Sequence, residues 1–495
     1  MDVRQLKTDF REGRLSADQL FDAADKVQQT VKRLQAEVDR LTQRLAQYEP
    51  GVLQESRSSA SQTLPSSSRY SLDAEEQRRR NKQRRKRRKK KSPGRRPNRV
   101  KFADVHHTED VYPPRTPRDQ CQLVRQRAVW RLVDGRAVLV GYRVFRGPSG
   151  PEPRIPGVTS RCEYGLEILV VLAFLVYVIG ISLDKACAVL EFFCALPLRK
   201  SQADALLRQL ARHWEPEFEA LCDLVARAAV VYMDETGWKI GQEGCSLWVF
   251  ASALQRVFLF GCHKDAKTLD AMLPEKIFQG VGVSDDAAVY RRRFTWAQKC
   301  WAHLLRKVIR LALLYPRKKS YQRFLDRLLV LYYDAKRAAA DGRLGTEGRK
   351  QRVAEFEERL SDLCRPHWRD PTPDMPPHER DFANLVNELT QRLFDEELFT
   401  FVLYPEVEAT NNLAERLQRS PAKDRDAGRT NKTAAGARRR SVITSVLESL
   451  RVNLSPFTLQ SVVDEATRWM KHGISLFKQQ LQAITAPVPA LENTS

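Results

Sequence analysis

Hydrophobic positions near the start of the chain recur in alternating steps of three and four: Leu20, Ala24, Val27, Val31, Leu34, Val38, Leu41, Leu45 and Tyr48. This is a heptad seam, and β-branched residues at one core position with leucine at the other favour a parallel two-stranded coil. The pattern predicts a coiled coil over residues 1–48 and a homodimer or larger homo-oligomer built through it; an amphipathic helix lying on its own domain gives the same spacing. Residues 127–146 alternate apolar and polar positions about Asp134-Gly135, a hairpin signature, and Pro151, Pro153 and Pro156 close a small β unit over 111–160. From Glu163 to about Ala226 the period is helical. Ser182–Leu196 and Ser201–Leu210, separated at Pro197, read as two helices joined by a tight turn, either a helix-turn-helix or two packed core helices. The nearly all-apolar run Ile168–Leu183 is shorter than the ~20 residues a membrane span needs, so it predicts a buried core helix within a DNA-binding-like helical domain over 161–226.

From Ala228 the period changes to two. AVVYMDETGWKIG, GCSLWVFAS and VFLFGC predict three antiparallel strands, a helix follows over 266–278, GVGVSDD predicts a fourth strand, and helical runs continue beyond it. Antiparallel strands followed by alternating helix and strand predict an α/β core.

Composition changes the picture mainly through charge. The chain has 495 residues, 42% hydrophobic and 29% charged, which excludes collagen-like and wholly disordered classes. Its net charge is +23, and residues 78–101 hold 16 Lys/Arg and no acid, leaving +7 for the other 471. RRRNKQRRKRRKKK, including Arg84, Arg85, Arg87 and Arg88, cannot bury anything and repels itself. It predicts a disordered basic arm that follows a serine-rich linker, both within 49–110, and a polyanionic partner with double-stranded DNA foremost. Neutralising about eight phosphates would give a log–log salt slope near −7. Nine scattered cysteines without a CxxC pair and a start without an apolar leader predict reduced thiols in a cytoplasmic, nucleoid-associated protein.

Two acidic residues stand out in the core. Asp234 follows the apolar strand Val230–Met233, where a desolvated carboxylate without a partner is costly; Asp285 follows the next central strand in the same way, on the face of Val281 and Val283. Carboxylates at the ends of neighbouring strands suit a hard divalent cation such as Mg²⁺ or Mn²⁺; each alone also reads as the start of a turn. Glu415, in ATNNLAERLQR, is a third candidate. Asn412 with Glu415 three residues on is also a capping box, which would account for the spacing by itself.

Four segments in order resemble the transposases of the insertion sequence 66 type, which belong to the DDE group with a ribonuclease H-like fold: Asp234-Glu235-Thr236; Ser284-Asp285 with Tyr290; Cys300-Trp301-Ala302-His303 with Arg306-Lys307; and Asn411-Asn412 with Glu415-Arg416. The resemblance spans roughly residues 160–455. It implies a ribonuclease H-like catalytic domain over 227–455 with a helical insertion at about 308–400, followed by a C-terminal helix and tail over 456–495. It also implies that Asp234, Asp285 and Glu415 form a catalytic, metal-binding triad for cleavage and strand transfer at the ends of a mobile element. His303, Arg306, Arg416 and Arg419 would hold DNA near it; a structural histidine and a solvated helix face are the plainer readings. Three departures stand. The cysteines of the family's zinc ribbon are absent from the β unit, Asp285-Asp286-Ala287 replaces Asp-Gly-Tyr, and Lys423–Lys432 has diverged from an Arg-Lys-Asn element. The spacing to Tyr290 favours Asp285 over Asp286 as the second ligand. Competing functions are a non-catalytic DNA-binding protein derived from a transposase, and a ribonuclease H-like nuclease that cuts without joining.

Overall fold

A computed structural model describes residues 102–159 and 162–485. The predicted coiled coil, the serine-rich linker and the arm with Arg84, Arg85, Arg87 and Arg88 lie outside the described residues, as does the tail beyond 485.

The predicted hairpin forms. β2 (Gln122–Val133) and β3 (Arg136–Arg146) pair antiparallel in a register that closes at Val133 and Arg136. Asp134 and Gly135 both have positive φ, 47° and 77°, as a two-residue type I′ turn requires. The boundary expected at residue 110 is displaced. A further strand, β1 (His107–Val111), begins inside the stretch assigned to the arm and runs parallel to β3. Its sequence HTEDV lacks apolar alternation, and it is held instead by main-chain pairing and by Asp110, which accepts from the Arg143 guanidinium at 3.0 Å.

The apolar run becomes α1 (Leu166–Ala173), buried at every residue but Val171, and continues as a π-helical turn over Phe174–Val178. No helix among the described residues is long and apolar enough to cross a membrane. α2 (Leu183–Cys194) ends at Ala195 in the left-handed conformation. α3 (Lys200–Ala226) is far longer than the helix predicted to end at Leu210. Its buried face, Leu206, Leu210, Trp214, Phe218, Leu221 and Val225, keeps a three-to-four spacing straight through Pro216, so tertiary burial carries the helix past a residue that usually ends one.

The second sheet has the order β6-β5-β4-β7-β8. β4 (Val230–Ile240), β5 (Glu243–Ala251) and β6 (Arg256–Cys262) are antiparallel neighbours, whereas β4–β7 (Val281–Ser284) and β7–β8 (Trp296–Lys299) are parallel. The four-residue WAQK strand β8 is too short to show a period and was not predicted. α4 (Ala266–Met272) stops earlier than expected because Leu273 precedes Pro274, which disfavours helical backbone there.

Alternation along the strands sends side chains into two cores. Val231, Met233, Trp248, Phe250 and Val257 join α1, α3 and the helix α11 (Ala434–Asn453) on one face. Tyr232, Trp238, Val249, Val281 and Val283 face the other, which is built from α5 (Trp301–Leu314), α6 (Lys319–Ala340), α7 (Thr346–Cys364) and α8 (Pro377–Phe394). The chain then runs through the short α9 (Thr400–Leu403) and α10 (Asn412–Asp426), and after α11 finishes with α12 (Leu459–His472) and α13 (Leu476–Thr485).

Both edges of this sheet are covered, which removes the pairing liability of an open strand. Ser441, Ser445 and Ser449, one per turn of α11, accept the outward N–H groups of Phe260, Phe258 and Arg256 on β6 at 2.9, 2.8 and 2.9 Å. On β8, Gln298 accepts from the Phe401 N–H at 3.0 Å, and Thr400 donates to the Ala297 carbonyl at 2.6 Å.

Candidate active site

Asp234 does not end its strand. β4 continues to Ile240 against β5, with Asp234 opposite Val249. What ends near Asp234 is the pairing with β7, whose last registered pair is Tyr232 with Val283. Two residues further along, Asp234 and Asp285 occupy equivalent places, on the face of Tyr232 and Val283. β7 itself stops at Ser284, one residue before Asp285.

Glu415 arrives in the first turn of α10, and the expected capping box does not form. The N-cap is Asn411 rather than Asn412, and its side chain makes no capping bond. Instead the fully buried Asn411 amide donates to the Met233 carbonyl at 2.6 Å, immediately before Asp234, while its backbone N–H donates to Cys300 Sγ at 3.2 Å. One asparagine thus fastens the start of α10 to both β4 and the start of α5. The Glu415 carboxylate is left free to turn to side chains: Oε1 lies 3.5 Å from His303 Nδ1 and 4.0 Å from Cys300 Sγ, and Oε2 lies 3.3 Å from Arg306 Nη2.

These placements bring Asp285 and Glu415 near enough for their charges to act on Asp234, while the ligand atoms that gather within 4.8 Å among the described residues are those of Cys300, His303 and Glu415. Burial, then the charges of Asp285, Glu235 and Glu415, push the Asp234 carboxyl up to about 7. Among the described residues it accepts a hydrogen bond from the Glu235 N–H at 3.0 Å. No cation contacts Asp234 among the described residues.

Neighbouring acids are already committed. Asp286 lies 2.6 Å from the buried Arg392 guanidinium and 4.0 Å from Lys307. Burial pushes the Asp286 carboxyl up, but a hydrogen bond with Glu388 and the charges of Arg392 and Lys307 outweigh it and hold it below the usual range. Glu235 is buried on the opposite face of β4, where it pairs with Lys264 and accepts from the Tyr290 hydroxyl. Lys299, only 1% exposed, donates to Ser284 Oγ at 3.3 Å beneath the Asp285 turn and lies 3.8 Å from Glu397.

Of the residues expected to hold DNA, His303 and Arg306 both lie against Glu415, and the Arg306 guanidinium pairs with it. Arg416 and Arg419 are exposed on α10, with no ion pair among the described residues. The diverged segment after Glu415 has a structural task. Arg425 donates to Thr236 and to the Gly237 carbonyl at 2.9 and 3.0 Å, and Asn431 accepts from the Trp238 indole at 3.0 Å, all along β4. Lys264, Lys299 and Arg392 were not singled out from the sequence, and Asn411 was named only as part of a family motif, without this role. Asn411 and Arg392 carry no local signal, since their partners are 178 and 106 residues away.

Residues 161–439, more than half of the chain, match the family model described as "Transposase IS66 family". The protein is a transposase by family. Specifically, the chain belongs to the IS66 family of transposases, as its motifs anticipated. No curated protein matches it.

Proposed function

We propose that this protein cuts the ends of a mobile DNA element and joins them to target DNA, with Asp234, Asp285 and Glu415 as its catalytic carboxylates. The observation that supports this reading is that Asp234, on β4, has no cation among the described residues while burial and the charges of Asp285, after β7, and Glu415, at the start of α10, press on its carboxylate. Carboxylate oxygens, with Asp234 and Asp285 lacking a cation partner among the described residues and Glu415 paired with Arg306, are the donor chemistry that Mg²⁺ or Mn²⁺ takes. Asp234, Asp285 and Glu415 would hold such ions, which would supply Lewis acidity for a phosphoryl transfer. The strand order, three antiparallel strands followed by two parallel ones with helices on both faces, supports a ribonuclease H-like core, and α5 to α9 support a helical insertion between the second Asp and the Glu.

The chain's own residues then do the positioning. Asn411 fixes the approach of Glu415 to Asp234. The pairing of Asp286 with Arg392 supports Asp285 as the ligand, because it holds the turn while Asp285 has no cation partner among the described residues. Arg416 and Arg419, one turn apart on α10, offer unshared positive charge to phosphates beside the site, and the basic arm adds sequence-independent attraction to double-stranded DNA. No protein nucleophile is required.

The test is cleavage and joining of a labelled duplex carrying an element end. Asp234→Asn and Asp285→Asn should each lower strand cleavage by at least about a hundredfold while duplex affinity stays within about threefold, because metal-centred stabilisation of the transition state is worth several kcal/mol. Unchanged cleavage in both variants would overturn the reading. Cleavage without joining by the wild type would leave a nuclease.

A further inference from the structure

Cys300, His303 and Glu415 place one ligand atom each within 4.8 Å of one another. We propose that they form a second metal site, selective for a borderline cation of the zinc type, which shares Glu415 with the all-oxygen centre. In its consequence for activity this rests on the catalytic reading of Glu415; the site itself does not.

The local fold builds the cluster. Cys300 is the N-cap of α5 and His303 lies in its first turn, so a three-residue spacing sets both on one side of the helix start, and the His303 N–H donates to the Cys300 carbonyl at 3.1 Å. Asn411, which donates its N–H to Cys300 Sγ, fixes Glu415 against them from α10. His303 Nδ1 is a buried atom without a hydrogen-bond partner, 3.5 Å from Glu415 Oε1. Zinc bonds of about 2.0–2.3 Å in tetrahedral array place N and O ligands about 3.3 Å apart and S and O ligands about 3.5 Å apart. The observed 3.5 and 4.0 Å need contractions of a few tenths of an ångström.

Ligand chemistry then sorts the ions. Sulfur and imidazole favour zinc-type cations, whereas Mg²⁺ takes oxygen and dehydrates reluctantly. Binding replaces the Cys300 S–H bond with a sulfur–metal bond and releases that proton to solvent, since a coordinating thiol is deprotonated. Glu415 Oε1 already points to this side. A zinc-type ion there holds the carboxylate away from Asp234 and Asp285, so the site is inhibitory.

The test is titration of the full-length protein with Co²⁺ as the spectroscopic probe, reading thiolate-to-cobalt charge-transfer absorption. Wild type should show the band. Cys300→Ser should abolish it, and His303→Ala, at a half-exposed position that folding tolerates, should weaken binding at least about tenfold. Asp234→Asn and Asp285→Asn should leave it intact. A wild type without the band, or the same band in Cys300→Ser, overturns the proposal. In parallel, Zn²⁺ should inhibit Mg²⁺-dependent cleavage by the wild type and not by Cys300→Ser; equal inhibition of both overturns the sharing of Glu415. A band of this kind in a protein that cuts no DNA would retire the catalytic reading and leave the thiolate site standing, so the two failures are distinguishable.

Discussion

With its carboxyl pushed up to about 7, Asp234 is about half-protonated near neutral pH in the metal-free protein. An unfolded Asp titrates near 3.9, so the folded state holds the extra proton between roughly pH 4 and 7. The sign follows directly. Stability contributed at this residue falls as pH rises through that window, and the cost is complete above 7, on the order of 3–4 kcal/mol. Asp234→Asn removes the charge and keeps the shape. Thermal unfolding without metal should therefore show the variant several degrees more stable than wild type at pH 8 and nearly equal to it at pH 4. Equal stabilisation at both pH values would contradict the account. Mn²⁺ should reverse the comparison by stabilising only the wild type. Asp286 shows the opposite case, since Arg392 and Lys307 beside it hold its carboxyl below the usual range.

At the scale of elements, two features define the corner: β4 outruns β7, and the start of α10 is fastened to β4 by Asn411 while Arg425 ties its end to the same strand. Asn411→Ala removes a buried donor to Met233 and leaves that carbonyl unpaired, a loss of about 2–3 kcal/mol measurable by urea unfolding. Cleavage should fall further than stability explains, because Glu415 loses its fixed approach. The serine stripe of α11 makes a parallel prediction. Ser445→Ala strips the β6 edge of an acceptor for the Phe258 N–H and should cost about 1–3 kcal/mol, whereas exposed serines elsewhere should cost almost nothing. Much of this architecture was legible beforehand. The hairpin, β4 to β7 and the buried apolar helix announce themselves by period and turn residues. β1 and β8 were not legible, being polar or four residues long and defined by what they pair with. The capping box at Asn412 was a sound local pattern overridden by a tertiary bond, since the side chain of Asn411 found a strand carbonyl 178 residues away. The candidate acids were legible as residue types at strand ends; their meeting was not, because nothing local records that Glu415 returns to β4.

For the whole molecule, the helices between Asp285 and Glu415 do more than separate them in sequence. Arg392, on α8, is buried against Asp286, Asp395 and Glu397, so the helical region grips the turn that carries Asp285. Arg392→Met leaves buried carboxylates without their cation and should destabilise by roughly 3–5 kcal/mol. Combining it with Asp286→Asn should cost less than the sum, as expected for groups in one network. The basic arm belongs to the same scale but to a separate function. Deleting residues 78–101 should flatten the salt dependence of duplex binding by up to about 7 in log–log slope without altering metal affinity. The central claim is that Asp234, Asp285 and Glu415 together bind divalent metal. Its most direct measurement is Mn²⁺ binding by spin resonance with a short duplex present, comparing wild type, Asp285→Ala and Asp286→Asn. The account predicts about two bound ions in the wild type, their loss in Asp285→Ala and their retention in Asp286→Asn. A wild type that binds the duplex but no Mn²⁺ would contradict it.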